Sequence, residues 1–126
     1  MINLLDTALG LSAAALQMRS KRLDVIAGNI ANAATPGFKA RDLDADALLS
    51  QLASARAGGF GSRLAGQIGE APLQYRAALQ PSLDGNTVEM ATEQAAFAEN
   101  AMKYQASLGF LTSRIQTIMS ALKGGE

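Results

Sequence analysis

The sequence predicts a mainly α fold, with two long terminal helices paired as in a coiled coil and joined by a partly extended, glycine-rich middle. Three observations predict it. Alanine fills 25 of the 126 positions, and it is the strongest helix former while contributing little apolar area. Apolar residues recur at heptad spacing near both ends of the chain. All three prolines and seven of the twelve glycines fall between residues 36 and 85.

The first helix is expected over residues 1–34. Ile2, Leu9, Leu16, Leu23 and Ile30 stand seven apart, and the companion row Leu5, Ser12, Arg19, Ile26 is apolar only at its ends. One continuous stripe with a half-polar neighbour is a narrow seam suited to contact with another helix. Asn32 can end the helix in the left-handed conformation, and Thr35 is pushed out of helix by Pro36.

The middle, residues 35–85, reads as a turn, a short helix around Leu43, Leu48, Leu49 and Leu52, and an extended piece at Leu73–Arg76. Between them, Gly58, Gly59, Gly61, Gly66 and Gly69 mark a flexible loop at about 55–70.

The last helix is expected over residues 86–123. Phe97, Ala101, Tyr104, Leu108, Leu111, Ile115, Ile118 and Leu122 alternate spacings of four and three without a miss. Asp84-Gly85 makes a turn before it, and Asn86 with Glu89 fits a capping box. Each terminal helix would be about 45–55 Å long. About 50 residues separate them, far more than a simple helix hairpin needs.

Composition excludes most chemistry. With no His and no Cys there is no Ser-His-Asp triad, thiol nucleophile, thiolate or imidazole metal site, or disulfide. Eleven basic and eleven acidic residues cancel, which argues against nucleic acid as a partner. Asp42, Asp44 and Asp46 lack the glycine and distal glutamate of a calcium loop and read as a solvated helix start. The Gly58–Ser62 run lacks the lysine of a phosphate loop. Arg19, Lys21 and Arg22 read as a solvated basic face, with docking to an acidic neighbour as the second reading. Met18, Met90, Met102 and Met119 read as seam or interface fillers. No enzyme, no cofactor, no metal and no small-molecule substrate is expected. The N-terminal run lacks a basic region and is broken by Asp6, Ser12 and Gln17, so neither a cleaved export signal nor a membrane span is expected.

One segment exceeds what a helix end requires. Asn29, Ala31, Asn32, Thr35, Pro36, Gly37 and Phe38 form an Asn-x-Ala-Asn-x-x-Thr-Pro-Gly-aromatic pattern. It resembles the N-terminal signature of the bacterial flagellar axial proteins, the rod, hook and hook-associated subunits. Gln80–Glu89, Glu93, Asn100 and Tyr104–Ser107 narrow the resemblance to the membrane-proximal rod class. The sister FlgC-type class would show a different turn after the first helix.

The resemblance implies a structural subunit of the rod, the drive shaft that transmits motor torque. It implies a D0-type axial domain made of residues 1–34 and 86–123, polymerising through its seams. The implied partners are copies of the chain, rod proteins of the FlgC, FlgF and FlgG types, and, at the membrane end, the adaptor FliE and the export gate. The implied location is the periplasmic rod of the basal body, reached through the flagellar type III export apparatus. A generic coiled-coil adaptor is the alternative that would not need the Asn29–Phe38 segment. A rod-associated wall hydrolase would need paired carboxylates in a cleft.

Overall fold

The structure, a computed structural model, describes residues 2–54 and 71–124. In chain order the elements are α1 (Ile2–Ala31), β1 (Arg41–Asp42), α2 (Ala45–Ser54), β2 (Gln74–Tyr75) and α3 (Met90–Leu122). The expected loop at about 55–70 lies outside the described residues.

Helices α1 and α3 run antiparallel side by side, since Asn29 meets Glu93 while Arg19 meets Asn100. Strands β1 and β2 pair antiparallel, Arg41 opposite Tyr75 and Asp42 opposite Gln74. The Arg41 guanidinium also lies over the Tyr75 ring, 5.4 Å from its centre. Asp44 starts α2 by accepting from the Ala47 N–H at 2.9 Å, the ordinary N-cap bond.

The core is small. Its buried apolar residues are Ala14, Met18, Ile26, Ala40, Leu43, Ala45 and Ala71. They gather where α1 faces the start of α2 and the strand segments, with Leu48 and Leu49 half-buried against them. The expected row Leu9, Leu16, Leu23 and Ile30 is only half-buried. The residues that α1 turns furthest inward are Ala14, Met18, Ile26 and Asn29, because the middle segment needs a side of α1 of its own. Met18 belongs to this core rather than to a seam.

Helix α3 departs further from its amphipathic reading. Its buried residues are Glu93 and Asn100, both polar. Of the expected seam, Ala101, Tyr104, Leu111 and Ile118 are half-buried, whereas Phe97, Leu108, Ile115 and Leu122 are exposed. The face that α3 turns to α1 is mixed: Glu93 and Asn100 are buried in line with half-buried Tyr104, Leu111 and Ile118, and the exposed apolar residues flank it.

Both helix boundaries shift, for related reasons. α1 stops at Ala31, where the last turn tightens through Ala33 N–H to Ile30 O (3.2 Å) and Thr35 N–H to Asn32 O (3.0 Å). Asn32 does not take the left-handed conformation; among the described residues only Gly37, Gly85 and Gly124 have positive φ. α3 begins at Met90, with Glu89 as an N-cap that makes no side-chain cap bond. The Asn86/Glu89 capping box does not form, because the Asn86 amide is engaged at the end of α1.

Met18 is fully buried in a core of few large side chains. We expect Met18→Ala to cost about 2–5 kcal/mol of stability, read as a lower urea midpoint with unchanged slope.

Candidate functional site

The Asn29–Phe38 segment folds into a junction at the carboxyl end of α1. Asn29 is buried, and its side-chain amide pairs with one residue of β1: Nδ2 donates to Arg41 O (2.7 Å), and Oδ1 accepts from Arg41 N–H (3.1 Å). The amide therefore occupies the edge of β1 as a neighbouring strand would. Nδ2 also donates to Glu93 Oε2 at 3.1 Å, which ties α3 to the same point.

Three positions along, Asn32 donates to Gly28 O (2.8 Å) and accepts from Thr35 Oγ1 (3.1 Å). The carbonyls that α1 leaves open are met from the other half of the chain. Asn86 Nδ2 lies 3.0, 2.9 and 2.9 Å from the carbonyl oxygens of Asn32, Ala33 and Thr35. Its Oδ1 accepts from Val88 N–H at 2.8 Å, so the whole amide is used. Asn86 is thus a C-terminal cap for α1 supplied in trans.

Two glycines let the turns meet. Gly37 (φ 72) donates its N–H to Asp84 O at 2.9 Å, and Gly85 (φ 75) faces it so closely that a Cβ there would lie 3.8 Å from Gly37 Cα. Thr87 N–H to Phe38 O (3.0 Å) and Ala40 N–H to Thr87 Oγ1 (2.8 Å) continue the seam. Lys39 Nζ donates to Gly85 O. Ser82 Oγ bonds the Asp84 carboxylate, which also accepts from Asn86 N–H. Glu89 accepts from Leu79 N–H (2.7 Å) and Thr92 Oγ1 (3.2 Å). Ala31, Thr35, Pro36 and Gly37 stay exposed on the outside of the junction, and Phe38 is half-buried.

Beside the junction lies a charged network. Asp42 takes a two-pronged hydrogen bond from Arg22 of α1 (2.9 and 2.9 Å) and another from Arg76, just after β2. Arg76 reaches on to Glu93 Oε1 of α3 at 2.7 Å. Glu93 is fully buried, so its charge is held by Arg76 and Asn29 rather than by water. Burial pushes the Asp42 carboxyl upward, but bonds from Arg22, Arg76 and the Leu43 N–H outweigh it and hold the group below the ordinary aspartate value. The Asp42 bond likewise raises Arg22.

A second, more exposed cluster joins Asp46 to Arg19 (3.1 Å) and Lys103 (3.0 Å), and Lys103 to Glu99 (2.8 Å). The bond from Lys103 leads the lowering of Asp46, which stands on the surface and contributes little to stability. Asn100 is buried and donates to Arg19 O at 2.8 Å. The expected solvated basic face therefore does not hold for Arg19 and Arg22, and Asp42 is not part of a solvated helix start, whereas Asp46 stands exposed in the first turn of α2 as expected. Only Asp44 serves as a helix cap. Arg19 and Arg22 stand three apart on α1 and their acceptors four apart in the middle segment, a spacing visible in the sequence. Glu93 and Asn100 stand one heptad apart, offset from the apolar seam, which is the signal for an inward polar row.

A family model described as "Flagella basal body rod protein" matches residues 10–39, the stretch that holds most of α1 and the junction motif. Over 122 residues the chain is 48% identical to the flagellar basal body rod protein FlgB of Cereibacter sphaeroides (strain ATCC 17029 / ATH 2.4.9), covering 92% of this chain and 94% of that one. The chain belongs to the FlgB family of flagellar basal body rod proteins. The FlgB of Salmonella typhimurium (strain LT2) is 42% identical with 100% of both chains covered, and that of Proteus mirabilis (strain HI4320) 39% identical over 99% and 100%. In this FlgB-family chain the function is structural: it is a subunit of the flagellar basal body rod, and the family is not one of enzymes. Among the described residues no helix is long and apolar enough to cross a membrane. The signature that identifies the FlgB-family chain is spent largely on internal bonds, with Asn29, Asn32 and Asn86 as its working parts.

Two outcomes follow from this geometry. Arg76→Met leaves the Glu93 carboxylate buried with one partner fewer, and we expect a loss of about 3–5 kcal/mol in urea unfolding. Because the folded Asp42 value is lowered, its stabilisation is complete above the unfolded value near pH 4 and drains away as pH falls through the folded value. Thermal melts should therefore fall more steeply below about pH 4 for the parent chain than for Asp42→Asn, and parallel curves would remove Asp42 from that role.

Proposed function

We propose that this chain assembles into the proximal rod, with the outward face of α3 as its contact to neighbouring subunits. The observation that carries the reading is the apolar surface that α3 leaves open, on which Phe97, Leu108, Ile115, Met119 and Leu122 are 40% exposed or more. Among the described residues nothing buries that row, and exposed apolar surface of this kind is the mark of a protein interface.

In this reading residues 1–34 and 86–123 make one discontinuous axial domain, with 35–85 as the segment that braces it. Leu9, Leu16, Leu23 and Ile30 form the flank of α1 that a neighbour covers, together with Ala101, Tyr104, Leu111 and Ile118 of α3. The Asn29–Phe38 segment serves assembly indirectly, by fixing which face of α3 looks outward. The partners are copies of the chain and rod proteins of the FlgC, FlgF and FlgG types, with FliE and the export gate at the membrane end. The chain reaches the periplasmic rod through the flagellar export apparatus without a cleaved signal, and there passes torque along the shaft. It binds no cofactor and catalyses no reaction.

Leu108→Asp and Ile115→Asp place a charge on exposed positions, where the fold tolerates it. Each variant should be secreted normally yet fail to assemble, giving non-motile cells in a swimming assay. Motile cells carrying either change would overturn the seam assignment.

A further inference from the structure

Asp84-Gly85 is the one place in the chain where an aspartate or asparagine precedes a glycine; the other five aspartates and all five asparagines are followed by larger residues. That order matters chemically. A main-chain nitrogen can attack the side-chain carboxyl carbon of the residue before it, closing a five-membered ring, and a glycine has no Cβ to obstruct the approach. The pair sits on the surface, since Asp84 is exposed and its neighbour Leu83 fully so. Water reaches it.

The fold also clamps the pair. Gly85 N–H donates to Ser82 O (3.2 Å), and Asp84 O accepts from Gly37 N–H (2.9 Å). Gly85 O accepts from Lys39 Nζ at 2.6 Å. The Asp84 carboxylate accepts from the Ser82 hydroxyl and from Asn86 N–H, the latter at 3.0 Å. The attacking nitrogen therefore has its proton in a hydrogen bond, and the carboxyl it would attack is tied elsewhere. The Ser82 hydroxyl leads the bonds that hold this carboxyl below the ordinary aspartate value. It stays ionised, and an ionised carboxylate is a poor target for a nucleophile.

We propose that Asp84 is a site of spontaneous isomerisation, closed in the folded chain and open whenever the junction is undone. The Gly85 nitrogen gives up its proton and bonds to Asp84 Cγ, a carboxyl C–O bond breaks, and one water leaves. The succinimide so formed takes water back at either ring carbonyl. Attack at Cγ restores aspartate. Attack at the former main-chain carbonyl breaks its bond to the Gly85 nitrogen and leaves isoaspartate. Mass is unchanged overall, and no reagent but water is needed.

Isoaspartate routes the main chain through Cβ and Cγ, one atom longer, and turns the old carbonyl into a free carboxylate. That carbonyl is the acceptor for Gly37 N–H. The extra atom enters two residues before Asn86, whose amide closes the end of α1. An isomerised chain therefore recloses the junction poorly. The fold protects Asp84, and an intact Asp84 is needed to make the fold.

The test incubates the full-length chain in warm neutral buffer, folded and, in parallel, unfolded in guanidinium chloride. Isoaspartate is counted by enzymatic methylation of its carboxylate and located by peptide mapping. The unfolded chain should gain it at residue 84 about tenfold faster or more, because the folded chain reacts only when the turn opens. Equal rates overturn the protection, and label spread over the other aspartates overturns the site. Asp84→Glu, whose longer side chain would have to close a six-membered ring, should lose the signal in guanidinium, where folding plays no part. A signal that survives this change overturns the assignment. Ser82→Ala should raise the folded rate and leave the unfolded rate as it was; an unchanged folded rate removes the hydroxyl from the clamp. Chain isomerised at residue 84, purified and returned to buffer, should unfold at a lower urea midpoint than the parent, and an equal midpoint overturns the consequence for the junction.

Discussion

The structure depends on how the Asn29 side chain and the Glu93–Arg76–Asp42–Arg22 chain of charges bind four elements at one place. The five members come from four parts of the sequence: Asn29 and Arg22 from α1, Asp42 from β1, Arg76 from beyond β2, Glu93 from α3. Among the described residues no apolar cluster has that reach, since the core of Met18, Leu43 and small alanines joins α1 to the middle segment. A buried ion pair contributes little net stability, because desolvation offsets most of its attraction. What it contributes here is uniqueness. With Glu93 in place, α3 has one rotation about its axis that leaves no charge stranded.

This arrangement explains how a chain with 48% hydrophobic residues can have so small a core. Much of its apolar content sits on the outer row of α3, on Leu79 and Leu83, and on the half-buried flank of α1. An amphipathic helix in a self-sufficient domain would bury that row against its nearest neighbour. Here the nearest neighbour, α1, offers the Arg19 carbonyl and the Asn29 amide instead. The fully buried part of that contact is polar, and half-buried apolar residues flank it.

The sequence made the element types legible and their facing illegible. Heptad spacing located both long helices, and Asp44 with the leucines after it located α2. The Leu73–Arg76 stretch was recognisably extended, whereas the left-handed conformation expected at Asn32 falls at Gly37. Periodicity finds an apolar stripe but is silent on whether the stripe points at α1 or away from it, and that decision rests with Glu93 and Asn100. Asn86 was misplaced for the same kind of reason. Three residues before a glutamate it looks like a local cap, yet the carbonyls it meets belong to residues more than fifty positions earlier. Local rules read Arg19, Arg22 and Asp42 as solvated because each partner lies 20 or more residues away. The Asn29–Phe38 signature identified the family at once, while its physical work, edge pairing and turn docking, appears only with Arg41 and Asp84 in place.

The cap that Asn86 places on α1 has a kinetic meaning. The bonds that finish the first helix span 51 to 54 residues, the Asn29–Glu93 bond spans 64, and the Asn100–Arg19 bond 81. Folding of this kind has high contact order: the entropy of closing a long loop is spent before any of those bonds can form. The N-terminal half can make contacts of its own, Arg22 with Asp42 and Asn29 with Arg41, but the bonds to Asn86 and α3 wait for the last third of the sequence.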